Sequence, residues 1–252
     1  MTALVHSRRA RWTSAVLAVL LAAGAAVALT VGPHPGARVV ASLPPALHAP
    51  TVTASLQVAA PPAKPAPKVP HDVVAPAAPT GFRVSGPAFD ITAHVCGMAN
   101  IRPLDPPGDQ YHTVCWVREG FGVAPGTDSG GTSYILGHSW AKAPLVLTPL
   151  SVTAMNAMDM AHPVPLAGVP VYPTTVLDGY QIVLTTPNGV LTYVVDSAYA
   201  VDKMQAANVA PLMDEHTPNR VVIITCGVHD SQDIDVNIIV NATLVSSKAG
   251  PV

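Results

Sequence analysis

The chain predicts a mostly β globular domain, a closed barrel or a sandwich, in its C-terminal two-thirds. Three observations carry this. Short runs rich in β-branched residues recur from about residue 89 onward. Turn chemistry separates them, most clearly at Thr185-Thr186-Pro187-Asn188-Gly189, where Asn-Gly tolerates the positive φ that a tight hairpin needs. Helical periodicity is thin throughout. Many short strands with little helix is the pattern of barrels and sandwiches.

In order, the strand candidates are Phe89–Cys96, His112–Val117, Ser133–Gly137, Leu145–Leu147, Tyr180–Thr186, Val190–Ala200, Val221–Cys226 and Val236–Val245. Residues 99–108 and 124–131 are rich in Gly, Pro and Asp and read as loops. Val152–Met160 and Val201–Met213 each have room for a short helix. Met155, Met158 and Met160 read as packing residues.

The N-terminal third has a different character. Residues 1–11 are basic, with Arg8, Arg9 and Arg11, and Trp12–Val31 is a run of twenty uncharged residues. At 1.5 Å per residue a helix there spans about 30 Å, the thickness of a bilayer core. Arginines on one side only place residues 1–11 in the cytoplasm and the remainder outside. A cleaved signal peptide is the alternative, since Ala-Gly-Ala and Ala-Val-Ala within the run resemble cleavage sites. Both readings export the chain. Residues 32–80 hold twelve prolines and no apolar periodicity. They read as an extracellular, extended spacer with a reach of up to about 150 Å.

Residues 81–252 read as the folded domain. Seven basic residues against fourteen acidic ones give it a net charge of −7, whereas residues 1–80 carry +5. An acidic domain without a basic stripe argues against nucleic-acid binding.

The three cysteines are Cys96, Cys115 and Cys226. An odd count in an exported chain leaves one thiol unpaired. Cys96 and Cys115, in neighbouring strand candidates, suit a disulfide, with Cys226 the free thiol. A zinc site is the rival, because His94 lies two residues before Cys96 and His112 three before Cys115. There is no Cys-x-x-Cys pair, and no cofactor or metal is expected. Cys226 ends the run Val221-Val222-Ile223-Ile224-Thr225-Cys226, and His138 ends Tyr134-Ile135-Leu136-Gly137-His138 after a glycine that permits close backbone approach. A thiol and an imidazole at strand tips are the parts of a nucleophilic enzyme: the thiolate attacks, and the imidazole activates it or protonates the leaving group. His229, three residues past Cys226, is the second candidate partner. A buried core cysteine is the plain alternative for Cys226.

These segments resemble the sortases, membrane-anchored cysteine transpeptidases of Gram-positive bacteria, and most of all their small actinobacterial branch of class E and F type. Sortases carry a Thr-Leu-x-Thr-Cys strand end, and here Val222-Ile223-Ile224-Thr225-Cys226 keeps the Thr-Cys. They carry a strand ending in Gly-His, here Gly137-His138. Val114-Cys115-Trp116-Val117 and Pro125-Gly126 precede it in a similar order. The resemblance implies a closed eight-stranded barrel with one or two short helices. It implies that Cys226 attacks a sorting-signal peptide of a surface protein, that a thioester forms, and that an amine of the cell wall or of a pilin resolves it. His138 would be the acid and base. Thr225 would support the substrate or its oxyanion.

One feature departs from the pattern. Sortases place an arginine on the strand after the cysteine; that strand here is Ile234–Val240, with Asp235 at or beside the position. No arginine follows Arg220, which lies six residues before Cys226 and so about 20 Å away along a strand. Asn237, expected on the same face as Asp235, is the neutral substitute donor. Two rivals stay open: a catalytically degenerate, peptide-binding module of the cell envelope, and an exported cysteine peptidase or amidase.

Overall fold

The computed structural model describes residues 71–250. The basic tail, the apolar run 12–31 and most of the spacer lie outside the described residues. Among those described, no helix is long and apolar enough to cross a membrane.

The strands are β1 (Gly81–Ser85), β2 (Asp90–Ala99), β3 (Thr113–Glu119), β4 (Thr132–Leu136), β5 (Val164–Leu166), β6 (Val169–Thr174), β7 (Gln181–Thr186), β8 (Gly189–Asp202), β9 (Arg220–His229) and β10 (Gln232–Ala249). Their order is β10-β9-β4-β3-β2-β1-β7-β8, and β8 pairs back onto β10. The expected eight-stranded barrel is therefore closed. β6 and β5 extend the sheet from the second half of β8. Two helices, α1 (Thr148–Asn156) and α2 (Ala210–Met213), and a 3₁₀ turn at Ala206–Asn208 complete the described part.

Burial follows the strand period of two. Val114, Ile135, Ile182, Leu184, Leu191, Ile223 and Ile238 point inward and are almost fully buried. Leu150, Ala154 and Met155 of α1 pack into the same core. A second apolar cluster lies on the outside of the wall. Tyr134, Leu136, Val201, Val222 and Ile239 are covered there by Ala206, Val209 and Leu212 and by Val169 and Val171 of β6. β4 and β9, which pair in parallel, are thus buried on both faces. This is why Val221-Val222-Ile223 reads as an unbroken apolar run rather than an alternation.

The structure corrects several expectations. Leu145–Leu147 is not a strand; Leu147 N–H donates to His138 O (2.9 Å) and Val146 N–H to Gln110 O (3.0 Å), so the run anchors a loop in the core. The expected helix at 152–160 starts earlier, at Thr148, with proline in its first turn, where a missing N–H costs nothing. Val201 and Asp202 continue β8, and helix begins only at Ala206. β5 and β6 escaped notice because Pro165, Pro170 and Pro173 argue against strand. The hairpin closes at Thr186 and Gly189, with the positive φ on Gly189 (148°) and not on Asn188.

The folded unit also begins before residue 81. Val74 is fully buried, its N–H bonds Thr127 Oγ1 (3.0 Å), and Asp72 bonds Ser247. These residues sit within a proline-rich stretch whose average composition hides the buried Val74.

Cys96 and Cys115 face each other across the parallel β2–β3 pair and are joined as a disulfide. Their sulfurs are therefore not metal thiolates. The loop they close spans 19 residues. Replacing both by alanine in the full chain should lower stability by about 3 kcal/mol in urea denaturation. An unchanged midpoint would show that the bridge does not form.

Candidate active site

β4 and β9 run in parallel, and their pairing stops at one rim of the barrel; β9 itself does not end at Cys226, as the sequence suggests, but runs on to His229 in its pairing with β10. Their last paired residues are Leu136 and Ile224, and Gly137 N–H still donates to Ile224 O (3.2 Å). His138 and Cys226 each stand two residues beyond that pair. Both therefore stay on the outer face, on strands about 4.8 Å apart. They line one open cavity of about 630 Å³ with Arg102, Asp105, Lys203 and Asn237. His229 is not on this cavity; it lies beside Asp230.

The backbone around Cys226 is tightly held. The hydroxyls of Ser139 and Ser151 both donate to Cys226 O, the latter at 2.8 Å. Val228 N–H donates to Ser151 Oγ (2.9 Å). Thr225 is buried, and its hydroxyl donates to Ser139 Oγ (3.1 Å). Thr225 thus braces the loop after His138. Thr225 also lines the cavity. Two glycines make the close packing feasible. A Cβ on Gly137 would meet Leu147 Cδ1 at 2.7 Å, and one on Gly227 would meet Val236 Cγ2 at 2.5 Å.

Asn237 pairs directly with Cys226 in the β9–β10 ladder. A bulge separates that pair from Ile234–Gly227, and Asp235 falls inside it. Asp235 and Asn237 nevertheless keep the shared outer face that their spacing implies, because Ile234, Val236 and Ile238 between and beside them all turn into the inner core. Asp235 lies exposed there with Lys203 Nζ 3.4 Å from its Oδ1. Asp233 Oδ1 accepts from Ala141 N–H (2.9 Å), fastening the β9–β10 turn to the loop beyond His138. Arg220 sits at the opposite end of β9, where its guanidinium bonds Thr132 Oγ1 (2.9 Å), Pro211 O (2.8 Å) and Asp214 O.

His138 Nε2 lies 2.9 Å from Pro106 O and 3.5 Å from Asp105 Oδ1. A carbonyl only accepts, so Nε2 carries a hydrogen in this arrangement. Burial pushes the Cys226 thiol above its ordinary range; Lys203 opposes this, while Asp233 and Asp235 add to it. The resting sulfur is protonated at neutral pH. Below the cavity an apolar groove continues over Tyr134, Leu136, Leu212, Ile224 and Ile239. Burial raises Tyr134 to about 12, and its hydroxyl donates to Leu212 O (2.7 Å), so it is a neutral part of that floor.

Sequence reasoning missed Lys203, Arg102, Asp105, Ser139 and Ser151. Lys203 is the first residue beyond β8, at the same strand-tip position that singled out His138 and Cys226. The other four depend on loop paths that no local pattern encodes.

No family model and no curated protein matches the chain. Solved structures that it is similar to are sortases. Listeria monocytogenes sortase A is 15% identical, over 69% of this chain and 91% of that one, with a TM-score of 0.41. Corynebacterium diphtheriae sortase A is 16% identical, over 67% and 61%, with a TM-score of 0.38. Actinomyces oris sortase C-1 is 14% identical, over 65% and 73%, with a TM-score of 0.40.

The raised thiol has a readable consequence. Alkylation of Cys226 by iodoacetamide in the folded, non-reduced protein should rise with pH through a midpoint above the roughly 8.5 of a free cysteine. Asp235→Asn, which removes an unfavourable charge, should move the midpoint down. A midpoint below the ordinary value would contradict the burial described above.

Proposed function

We propose that this chain is a sortase-type cysteine transpeptidase acting outside the cell membrane. The observation that carries the reading is the parallel β4–β9 pairing together with the open cavity that Cys226 and His138 both line. The proposed substrate is the sorting-signal peptide of a surface protein, laid in extended form along the apolar groove. The proposed acceptor is an amine of a cell-wall precursor or a pilin lysine.

In the first half-reaction Cys226 Sγ passes its proton to His138 and attacks the scissile carbonyl carbon. The C–N bond breaks as His138 gives that proton to the departing amine, leaving a thioester. In the second, His138 takes a proton from the incoming amine as its nitrogen attacks the thioester carbon; the C–S bond breaks, and the proton returns from His138 to Sγ. The side-chain amide of Asn237, paired with Cys226 across β9 and β10 and lining the same cavity, serves as the neutral donor to the developing oxyanion. Ser139 and Ser151 position the nucleophile by holding its carbonyl.

A specific observation favours a second reading. The strand that brings an arginine to sortase sites brings Asp235 here, and a carboxylate near an oxyanion is unfavourable. A peptide-binding barrel without turnover fits that substitution. Its weakness is Cys226 itself, since a binding module has no need of a half-exposed thiol beside an imidazole.

Acyl-enzyme capture by mass spectrometry with a panel of sorting-signal peptides separates the two. Wild type should form a thioester with at least one peptide. Cys226→Ala should form none, and His138→Ala should lose about two to four orders of magnitude in rate. Asn237→Ala should lose about one to three orders of magnitude, and Asp235→Arg should preserve or raise the rate. If wild type and Asp235→Arg bind a peptide but acylate with none, the binding-module reading replaces this one.

The anchor reading has its own test. Protease added to intact cells should remove the barrel, because the arginines precede the apolar run 12–31 and none directly follows it. Digestion seen only after lysis would reverse the proposed orientation.

A further inference from the structure

A thiolate nucleophile and a developing oxyanion both call for positive charge in the cavity, and the usual strand does not supply it. Seven cations lie between residues 81 and 252. Arg220 is held at the far end of β9, Arg83 pairs with Asp90, and Arg118 lies beside Glu119. Lys142 and Lys248 do not line the cavity; Arg102 and Lys203 do.

These two are not equivalent. Arg102 is exposed on the long loop between β2 and β3. Lys203 continues a strand. β8 runs in the same direction as β4 and β9, since both β8 and β9 pair antiparallel with β10. The outward stripe of β4 ends in Leu136 and then His138. That of β9 ends in Ile224 and then Cys226. The outward stripe of β8 includes Tyr199 and Val201, both in the outer cluster, and the next position is Lys203. Val201 pairs with Asn237, and Asn237 pairs with Cys226, so Lys203 is carried to the same rim. Its main chain is tied there by its N–H to Asp235 O (3.3 Å) and its ammonium by Asp235 Oδ1 (3.4 Å). Asp235 is 81% exposed, and an ion pair so open to water holds the lysine only weakly. The ammonium is located but not neutralised.

We propose that Lys203, delivered by β8 and steadied by Asp235, is the cation of this site, replacing the arginine that the strand after the cysteine lacks. Its charge favours the Cys226 thiolate before attack and the substrate oxygen during it. The catalytic half of this inference rests on the transpeptidase reading; the effect on the thiol does not. The other charged or titratable groups around Cys226 are His138 just past β4, Arg102 and Asp105 from the β2–β3 loop, and Asp233 and Asp235 from the start of β10.

The test uses the full chain in detergent with two readouts, the pH profile of Cys226 alkylation by iodoacetamide and the rate of acyl-enzyme formation. Lys203→Ala should shift the alkylation profile to higher pH and slow acylation about tenfold to a hundredfold. Lys203→Arg should restore both, since it keeps the charge. Lys248→Ala removes an equal charge at the remote end of β10 and should move neither. If Lys203→Ala leaves both readouts at wild-type values, or Lys248→Ala shifts the profile as far, the inference is overturned. If wild type acylates no peptide but Lys203→Ala still shifts the thiol profile and Lys203→Arg restores it, Lys203 keeps its role and the transpeptidase reading falls alone.

Discussion

Everything at the site depends on the register of β4 against β9. The two strands pair in parallel with Leu136 opposite Ile224, and each is buried on both faces. A one-residue slip would send every side chain of one strand to the opposite face. Here such a slip would push Tyr134 and Leu136 into a core already filled by Ile135 and Val114, so the register is not free to drift. Cys226 and His138 inherit that rigidity although they stand beyond the last pair. The hydroxyls of Ser139 and Ser151, both on the Cys226 carbonyl, extend it past the last β4–β9 pair. Precision at the thiol comes from packing several residues away.

What the sequence makes legible follows from the same physics. Apolar β-branched runs mark β4, β9 and β10 because those strands are covered on one or both faces, and the residue at each tip stands out against its run. Cys226 and His138 are visible for that reason. β5 and β6 are invisible because their prolines forbid what an edge of the sheet tolerates. The bulge at Asp235 is invisible too. Nothing in Ile234-Asp235-Val236-Asn237 announces that two residues will bulge out between the Ile234–Gly227 and Asn237–Cys226 pairs, with Val236 packed over Gly227. Ser151 shows the remaining gap. It lies 75 residues from Cys226 in the chain, and only the way α1 packs into the barrel brings the two together.

The local field is a contest between one lysine and several carboxylates. Asp233 and Asp235 both disfavour charge on the sulfur, and burial adds to them. A cysteine held protonated resists adventitious oxidation, because the thiolate is the form that oxidises.

The Cys96–Cys115 bridge acquires a wider meaning from its location. It joins the two strands that flank residues 100–112, the stretch carrying Arg102, Asp105 and Pro106 along the cavity wall. Its covalent clasp insulates the barrel from whatever happens in that stretch. Insertions, deletions and exchanges between the two half-cystines can reshape the wall while the strands beneath keep their places. The fold therefore separates a part that must not vary from a part that is free to, and the cavity wall can diversify without disturbing the strands that hold Cys226 and His138.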